Sequence, residues 1–332
     1  MSALLEVREA SVSYPHAGAV DGRFTAVEGV SFALQAGEIV GLVGESGSGK
    51  SSLGRAILGL VPLAAGEIHW GGARIDALPR SAFRRLRREL QLVFQHPQAS
   101  LDPRMTIAES VAEPLRALAR EVSVAARTGR VATILGEVGL AIEFAGRYPH
   151  QLSGGQLQRA AIARALIVDP GFIVCDEPVS ALDVSVQGQI VNLLLRIRRE
   201  RGLACLFISH NLAVVTRLAE RILVMYRGRI VESGASEAIL ASPRHPYTRL
   251  MLDSVPAVDP LSARRLVARA VPAIGEAAGL PVRGCPFAVR CPYARSRCLS
   301  ELPALQELAG GGAVACHRAG EWRAGLSPAV QA

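Results

Sequence analysis

A glycine-rich run, Gly44-Glu-Ser-Gly-Ser-Gly-Lys-Ser51, lies between an apolar segment and a stretch with helical periodicity. The apolar segment, Ile39–Val43, is typical of a buried strand, and the helical stretch runs from Ser51 to Leu60. A strand, a glycine-rich loop and a helix in this order form a phosphate-binding loop, because glycines let backbone N–H groups surround phosphate oxygens. The helix N-terminus directs a positive end at the same anion. This pattern predicts an α/β core with a nucleotide site.

The lysine of this run is the only lysine among the thirty-seven lysine and arginine residues of the chain. A sequence that uses arginine so consistently keeps a lysine where a guanidinium cannot replace an ammonium group. Lys50 is expected to bridge the β and γ phosphates, and the Ser51 hydroxyl to ligate magnesium. The candidate nucleotide-binding residues of the loop are Gly44, Glu45, Ser46, Gly47, Ser48, Gly49, Lys50, Ser51 and Ser52.

A second apolar strand, Phe172–Asp176, ends in two adjacent carboxylates. Asp176 is placed to hold hydrated magnesium. Glu177 can face the γ-phosphate, where a carboxylate could polarise the attacking water. Two acids at a strand end are also common as surface charge, but their combination with the glycine-rich loop favours the catalytic interpretation.

A second glycine motif, Leu152-Ser-Gly-Gly-Gln156, precedes a helical run that extends to about Ile167. Small residues at a helix N-terminus again suit an anion. Since one nucleotide cannot occupy both sites of one chain, we expect this second site to close on nucleotide bound by another subunit. Its candidate residues are Ser153, Gly154, Gly155 and Gln156.

Strand and helix signals alternate to about residue 240, which indicates an α/β core with a mostly parallel sheet. Gln91–Gln95 and Ala204–Ser209 are further short apolar runs of the buried-strand type. Between residues 98 and 169 the strand signals vanish and helical periodicity replaces them, for example over Ile107–Leu118 and Val131–Val138. We therefore expect an inserted helical subdomain. After Gly234 the prolines become frequent, which indicates a separate C-terminal extension.

These motifs, in this order, resemble the ATP-binding subunits of ABC transporters over roughly residues 3 to 250. The resemblance implies a P-loop NTPase (RecA-like) core with antiparallel β-structure and an inserted helical subdomain at about 98–169. It also implies that Tyr14 stacks on adenine and that Gln95 senses magnesium and contacts a membrane partner. His210, at the end of an apolar strand, matches the switch histidine that bonds the γ-phosphate, and Asp183 matches the D-loop.

The resemblance further implies ATP and Mg²⁺ as cofactors, with two ATP molecules sandwiched between two ATPase subunits. Glu177, His210 and Gln95 would be catalytic, whereas Ser51, Gln95 and Asp176 would surround the magnesium. The implied partners are a second ATPase subunit, more consistent with a paralogue than with a second copy, and two membrane permease subunits. An extracytoplasmic solute-binding protein would act indirectly.

Two regions resemble the subgroup that serves oligopeptide, dipeptide and nickel importers. One is the segment from Gln95 to Arg104, in which His96 replaces the more usual aspartate. The other comprises the runs at 242–248, 284–292 and 314–317. This resemblance implies an ATPase domain at residues 1–240 and a subgroup-specific extension at 241–332, and it favours peptides as the cargo with nickel or another small solute as alternatives.

Four cysteines of the extension, Cys285, Cys291, Cys298 and Cys316, are separated by five, six and seventeen residues. This spacing is not the paired C-x-x-C of a zinc ribbon. Four thiolates can hold an iron–sulfur cluster, and the resemblance implies a [4Fe–4S] cluster. Zinc and free thiols remain alternatives, because thiolate ligation does not fix the metal.

The formal net charge of +8 raises the question of a nucleic-acid partner. Arginines are densest over residues 80–88, where Phe83 is the single aromatic residue. One ring does not form a platform on which successive bases could stack, so we expect no nucleic-acid partner. No apolar stretch reaches the roughly eighteen residues that span a bilayer, and no secretory signal is visible. We expect a peripheral protein at the cytoplasmic face of the inner (plasma) membrane.

Two other classes of ATPase deserve comparison with the importer. Soluble ABC ATPases of DNA repair, chromosome structure or translation would be expected to carry a long coiled coil, zinc modules or tandem ATPase units, and none is visible. A P-loop kinase or GTPase is disfavoured by the motif at Leu152–Gln156 and by the lack of an obvious guanine-reading motif.

Overall fold

The computed structural model describes residues 3–16, 18, 22–254, 283–319 and 321. The strands of this part of the chain are β1 Leu5–Pro15, β2 Arg23–Leu34, β3 Ile39–Val43, β4 Ala65–Trp70, β5 Ala73–Arg74, β6 Leu90–Val93, β7 Phe172–Asp176, β8 Ala204–Ser209, β9 Arg221–Tyr226, β10 Arg229–Ala235, β11 Gln306–Glu307 and β12 Ala313–Val314. The α-helices are α1 Lys50–Ile57, α2 Arg80–Leu86, α3 Pro97–Ser100, α4 Ile107–Leu118, α5 Val124–Glu137, α6 Gly154–Leu166, α7 Val184–Arg201, α8 Leu212–Thr216, α9 Ser236–Ala241, α10 Pro246–Asp253 and α11 Ser296–Ser300.

The strands form two sheets, which confirms the expected α/β fold. An antiparallel sheet has the order β2-β1-β4-β5, and the larger sheet has the order β11-β12-β10-β9-β3-β8-β7-β6. Within the larger sheet the five strands β6, β7, β8, β3 and β9 are parallel. The carboxyl ends of parallel strands meet at one edge, so the loops after β3, β7 and β8 converge there.

The parallel strands are apolar throughout because helices or the second sheet cover both of their faces. All five residues of β3 and all five of β7 are buried. Val40 and Leu42 face the core shared with the antiparallel sheet, whereas Ile39 and Val43 belong to the other core. This alternation explains why the sequence shows a continuous hydrophobic run rather than a period of two.

Residues 94–171 contain helices α3 to α6 and no strand, as the loss of strand signal indicated. Several boundaries differ from the expectations. Helix α5 runs from Val124 to Glu137, whereas helical periodicity was expected over Val131–Val138. Helix α1 ends at Ile57 rather than at Leu60, because Gly59 has a φ of 60° and lies against the Phe83 ring. Strand β6 ends at Val93, so Gln95 lies in the loop that follows it.

The extension continues the larger sheet. Strand β12 pairs antiparallel with β10, with Val314 opposite Glu232 and Ala313 opposite Ser233. β11 pairs with β12 in turn. The described part of the extension is thus packed on the ATPase core through main-chain hydrogen bonds. In the parts of the chain placed by the structure, no helix is both long enough and apolar enough to span a bilayer.

Candidate functional site

The loop between β3 and α1 requires glycine where the neighbouring main chain comes closest. A Cβ atom on Gly44 would lie 2.2 Å from the carbonyl oxygen of Met225. Gly49 has a φ of 103°, and its Cβ would lie 2.1 Å from the carbonyl oxygen of Ala26. The loop therefore follows a path that only glycine allows, with β2 and β9 on its outer side.

Lys50 is the first residue of α1, and only 4% of it is exposed. Its ammonium group donates to the carbonyl oxygens of Gly44 and Glu45, each at 2.8 Å, and to Ser48 Oγ at 3.3 Å. Burial lowers the pKa of Lys50, while the charges of Glu177 and Asp176 oppose this effect. The lysine thus lies folded back under its own loop, in a position from which its three donors can be exchanged for phosphate oxygens.

Ser51 joins the first turn of α1 to the carboxyl end of β7. Its Oγ donates a 2.8 Å hydrogen bond to Oδ1 of Asp176, which is 6% exposed. Burial raises the pKa of Asp176, and the bond from Ser51 partly opposes that rise. A hydroxyl and a carboxylate in contact at this edge are oxygen ligands of the kind that magnesium takes.

Glu177 is the centre of a second group. Its Oε2 accepts from Gln95 Nε2 at 3.2 Å and lies 3.0 Å from His210 Nδ1. The loops after β6, β7 and β8 are thereby linked, since each supplies one of these residues. Glu177 has a φ of 47°, in the left-handed region that is unfavourable for this residue, and its N–H donates to Ile208 at 3.0 Å. Such strain persists where the surroundings fix the backbone, as they do at many active sites.

Tyr14 lies at the end of β1, and its hydroxyl donates to Ser52 Oγ at 3.2 Å. This bond places the tyrosine beside the first turn of α1. The structure therefore brings Tyr14, the phosphate-binding loop, Asp176, Glu177, Gln95 and His210 together at one edge of the larger sheet.

The second glycine motif forms the exposed N-terminus of α6. Ser153 Oγ accepts from the N–H of Gln156 at 3.4 Å, and the Gln156 side chain accepts from the N–H of Ser153 at 2.9 Å. This reciprocal pair is a capping box, which stabilises the helix start. A Cβ on Gly155 would lie 2.7 Å from Val186 in α7, so the motif lies against the helix that Asp183 begins. Ser153, Gly154 and Asp183 are exposed to solvent, as residues that complete a site on another subunit would have to be.

The four cysteines of the extension line one small cavity of about 20 Å³, together with His245, Phe287 and His317. Burial raises the pKa of Cys285, and it raises the pKa of Cys291 and of Cys316 to about 11. Within the described ranges, no three His, Cys, Asp or Glu side chains are arranged so that they could hold a metal ion. The four cysteines named from the sequence thus line one cavity, but their present arrangement is not that of a formed metal site.

Two residues of the extension contact the phosphate-binding loop, although no functional role was predicted for either of them. The hydroxyl oxygen of Tyr247 accepts a 2.8 Å hydrogen bond from the backbone N–H of Glu45. Arg290 binds the Glu45 carboxylate through two N–H groups, at 2.7 and 2.8 Å. Their separation from Glu45 in the chain, by 202 and 245 residues, left no local pattern that could reveal them.

Comparisons with known families agree with this architecture. The ABC transporter family matches residues 27–180, and the family described as oligopeptide/dipeptide transporter, C-terminal region, matches residues 231–298. The second match includes Tyr247 and Arg290.

Individual proteins are similar over most of the chain. The oligopeptide transport ATP-binding protein OppF of Escherichia coli (strain K12) is 45% identical over 85% of this chain and 84% of its own length. A putative peptide import ATP-binding protein of Brucella ovis is 46% identical over 88% of this chain and 91% of its own. The glutathione import ATP-binding protein GsiA of Salmonella paratyphi A is 52% identical over 77% of this chain, which covers 42% of that protein.

Among solved structures, an ATP-binding cassette in a dimeric post-hydrolysis state with ADP and Pi superposes with a TM-score of 0.64. It is 30% identical, and the superposition covers 70% of this chain and 98% of the cassette. The nucleotide-site geometry, the sequence identity over most of the chain and the matched C-terminal region agree. This chain belongs to the ATP-binding, ATP-hydrolysing subunits of ABC transporters, in their oligopeptide/dipeptide branch.

Proposed function

We propose that this chain couples ATP hydrolysis to the import of di- or oligopeptides through separate permease subunits. The observation that carries the proposal is the match of residues 231–298 to the C-terminal region of oligopeptide/dipeptide transporters, within which Tyr247 and Arg290 contact the phosphate-binding loop. The relatives named for oligopeptide, peptide and glutathione import support the same solute class. The chain would act peripherally, at the cytoplasmic face of the inner membrane.

Nucleotide binding would use the loop from Gly44 to Ser52, with Tyr14 against the adenine. Tyr14 is held beside this loop by its bond to Ser52, which supports the assignment. Lys50 would exchange its three present acceptors for oxygens of the β and γ phosphates. The exchange is favourable because phosphate oxygens carry full negative charge, whereas carbonyl oxygens are neutral.

Ser51, Asp176 and Gln95 have the oxygen donors that fit Mg²⁺, and the contact between Ser51 and Asp176 supports a site between them. Magnesium held there would supply positive charge that offsets the negative charge developing during phosphoryl transfer. Because burial raises the pKa of Asp176, metal binding would favour the ionised carboxylate and release the proton at low pH.

Glu177 would accept the hydrogen bond of the attacking water and orient it. Its present partners, Gln95 and His210, support this role because they fix the carboxylate at the edge of the sheet. On ATP binding His210 would turn toward the γ-phosphate, and its half-exposed side chain leaves room for that movement. Positioning by these residues supplies most of the catalysis, since phosphoryl transfer needs little covalent chemistry from the protein.

A second ATPase subunit would complete each site with the residues equivalent to Ser153, Gly154, Gly155, Gln156 and Asp183. The exposure of this surface supports the assembly, and a related cassette has been solved as a dimer. We propose a paralogous subunit as the partner, together with two permeases and, indirectly, a solute-binding protein.

We also propose that Cys285, Cys291, Cys298 and Cys316 hold a [4Fe–4S] cluster. The four sulfur donors around one cavity support this, because such clusters are held by four thiolates. The thiols would have to approach one another as the cluster forms, since among the described residues no three are now placed to hold a metal ion. The thiols would lose their protons as the metal binds. Anaerobic purification with visible absorption and iron and zinc analysis is the test. About four iron atoms per chain are expected, whereas zinc alone, or a colourless metal-free protein with full ATPase activity, would refute the cluster.

Solute uptake tests the transport function directly. In cells that lack the gene, uptake of labelled di- and oligopeptides should fall to background and return with the wild-type chain. The Glu177→Gln variant should not restore it. Normal peptide uptake together with lost nickel uptake would instead identify a nickel importer of the same branch.

A further inference from the structure

Glu45, the second residue of the phosphate-binding loop, is held by the extension at two points. Tyr247 accepts from its backbone N–H at 2.8 Å, and Arg290 binds both oxygens of its carboxylate at 2.7 and 2.8 Å. One contact fixes the main chain of the loop, and the other fixes the only acidic side chain within it. Neither contact depends on which solute is transported.

Tyr247 is rigid. It is completely buried, and its ring lies 4.6 Å from that of Tyr226 and 5.5 Å from that of Phe287 between centroids. It follows the start of α10, where His245 Nδ1 accepts from the N–H of Tyr247 at 3.0 Å. The buried carboxylate of Glu232 in β10 accepts from the N–H of His245 at 2.9 Å. The hydroxyl that holds Glu45 is therefore anchored to the core sheet.

Arg290 is also fixed in place. It ends a short turn in which its N–H donates to Phe287 at 3.0 Å, and that turn lies between Cys285 and Cys291. Its guanidinium lies 5.8 Å from the Tyr226 ring centroid and 5.7 Å from that of Phe287. Stacking on aromatic rings orients the planar guanidinium, so little freedom is lost when it binds a carboxylate at two points.

Glu45 in turn contacts the lysine that binds phosphate. Its carbonyl oxygen accepts from Lys50 Nζ at 2.8 Å. A chain of direct bonds thus runs from the extension through Glu45 to Lys50. The carboxylate of Glu45 has the same sign of charge as the phosphates of ATP, so an uncompensated Glu45 would repel the nucleotide.

We propose that Tyr247 and Arg290 are positioning residues of the nucleotide site, which fix Glu45 and neutralise its charge so that the loop binds ATP tightly. The extension then sets the ATP affinity of the subunit, in addition to any role in assembly. Arg290 touches neither nucleotide nor metal in this scheme; it acts through Glu45.

The test measures the Kd for ATP of the purified full chain by isothermal titration calorimetry. Arg290→Ala should raise the Kd for ATP about fivefold, the change that corresponds to a coupling of about 1 kcal/mol for a partly exposed pair. Arg290→Lys should recover part of the loss, since it keeps the charge but not the two-point geometry. Tyr247→Phe keeps the ring and removes the acceptor, so its Kd should also rise.

A double-mutant cycle separates positioning from general loss of structure. In a Glu45→Gln background no carboxylate is left to neutralise, so Arg290→Ala should change the Kd by less than about twofold. The matched control is Arg297→Ala, because Arg297 forms an ion pair with Glu301 on the same extension, at 2.7 Å and away from the loop. Its Kd should equal that of the wild type.

Thermal unfolding of each variant shows whether the fold survives. ATP affinity that is indifferent to Arg290, or an equal loss in the Glu45→Gln background, would overturn the inference. Either result would leave the peptide-import function untouched, because uptake and the nucleotide site are measured separately.

Discussion

The Ser51 hydroxyl donates a 2.8 Å hydrogen bond to the carboxylate of Asp176, across 125 residues of sequence. This bond closes the site between the phosphate-binding loop and the neighbouring acidic strand end. Lys50 and Glu177 lie on the two sides of it, each adjacent in sequence to one of the bonded residues. The four residues therefore form a compact group whose members can be tested one at a time.

Lys50→Arg should abolish ATP hydrolysis while the fold survives. Lys50 is buried with acceptors on three sides, and a wider planar guanidinium cannot occupy the same space between the β and γ phosphates. We expect ATPase activity to fall at least about 100-fold, which is the scale on which a preorganised charge contributes. Phosphate release and circular dichroism check the two halves of this prediction.

The control for that substitution is the reverse exchange at an exposed position. Arg8→Lys, on strand β1, should leave both measurements unchanged, since more than half of its side chain is exposed. Retained turnover in Lys50→Arg would mean that base composition, rather than chemistry, accounts for the single lysine.

Glu177→Gln should trap the nucleotide-bound dimer. Glutamine keeps the size of the side chain and can still bond Gln95 and His210, but it cannot accept a proton from water. Hydrolysis should fall by about 100-fold or more, and ATP should then produce a stable dimer with the second ATPase subunit or with another copy. Light scattering after gel filtration measures this, and a persistent monomer with ATP under both conditions would contradict the sandwich arrangement.

Gly49→Ala should destabilise the fold more than Gly47→Ala. Both glycines have positive φ values, 103° and 78°, but a Cβ on Gly49 would strike the main chain of Ala26 whereas Gly47 has open space. Left-handed strain alone costs about 1 kcal/mol or somewhat more, and the clash adds to it. We expect the free energy of unfolding to fall by about 1 kcal/mol for Gly47→Ala and by at least about 3 kcal/mol for Gly49→Ala. If urea denaturation showed equal losses of unfolding free energy for the two variants, β2 would have to move away from the loop at no cost.

The buried His245 should make stability depend on pH. Burial lowers its pKa to about 3, from about 6.5 in the unfolded chain. Between these values the unfolded chain binds a proton that the folded chain does not, so this contribution to stability is complete above pH 6.5 and falls on acidification. From pH 7.5 to 5.0 the loss should be about 2 kcal/mol.

His245→Asn isolates that contribution, because asparagine can still cap α10 but does not titrate. The variant should lose about 2 kcal/mol less than the wild type over the same pH interval, as measured by urea denaturation. Parallel pH curves for the two proteins would show that another group dominates acid sensitivity.

Sequence patterns were sufficient for three of the five parallel strands and for the motifs that follow them. Ile39–Val43, Phe172–Asp176 and Ala204–Ser209 begin and end as predicted, because fully buried strands are continuous apolar runs. Helix α4 also matches, since its capping box at Thr106 marks the start. Residues at the carboxyl ends of such strands must converge, so the candidate site followed from topology.

The contacts of the extension could not be predicted in the same way. Strand β12 has two residues and no periodicity, and its partner in β10 is about eighty residues away. Arg290 and Glu45 are one pair among many possible ion pairs in an arginine-rich chain, and only the folded structure selects it. Long-range pairing by short elements leaves no local signal, in contrast to motifs that carry their own spacing.

Strand β12 also limits where this protein can be truncated. Without β12, strand β10 would be an edge strand of the larger sheet with unpaired main-chain donors and acceptors. Exposed edge strands can pair with strands of other chains and so promote aggregation. A protein truncated before the cysteines would thus be prone to aggregation, and it would also lose Phe287, one of the two aromatic rings packed on Tyr247. The nucleotide-binding core and its C-terminal extension should therefore be transferred between engineered proteins together, because each covers surface of the other.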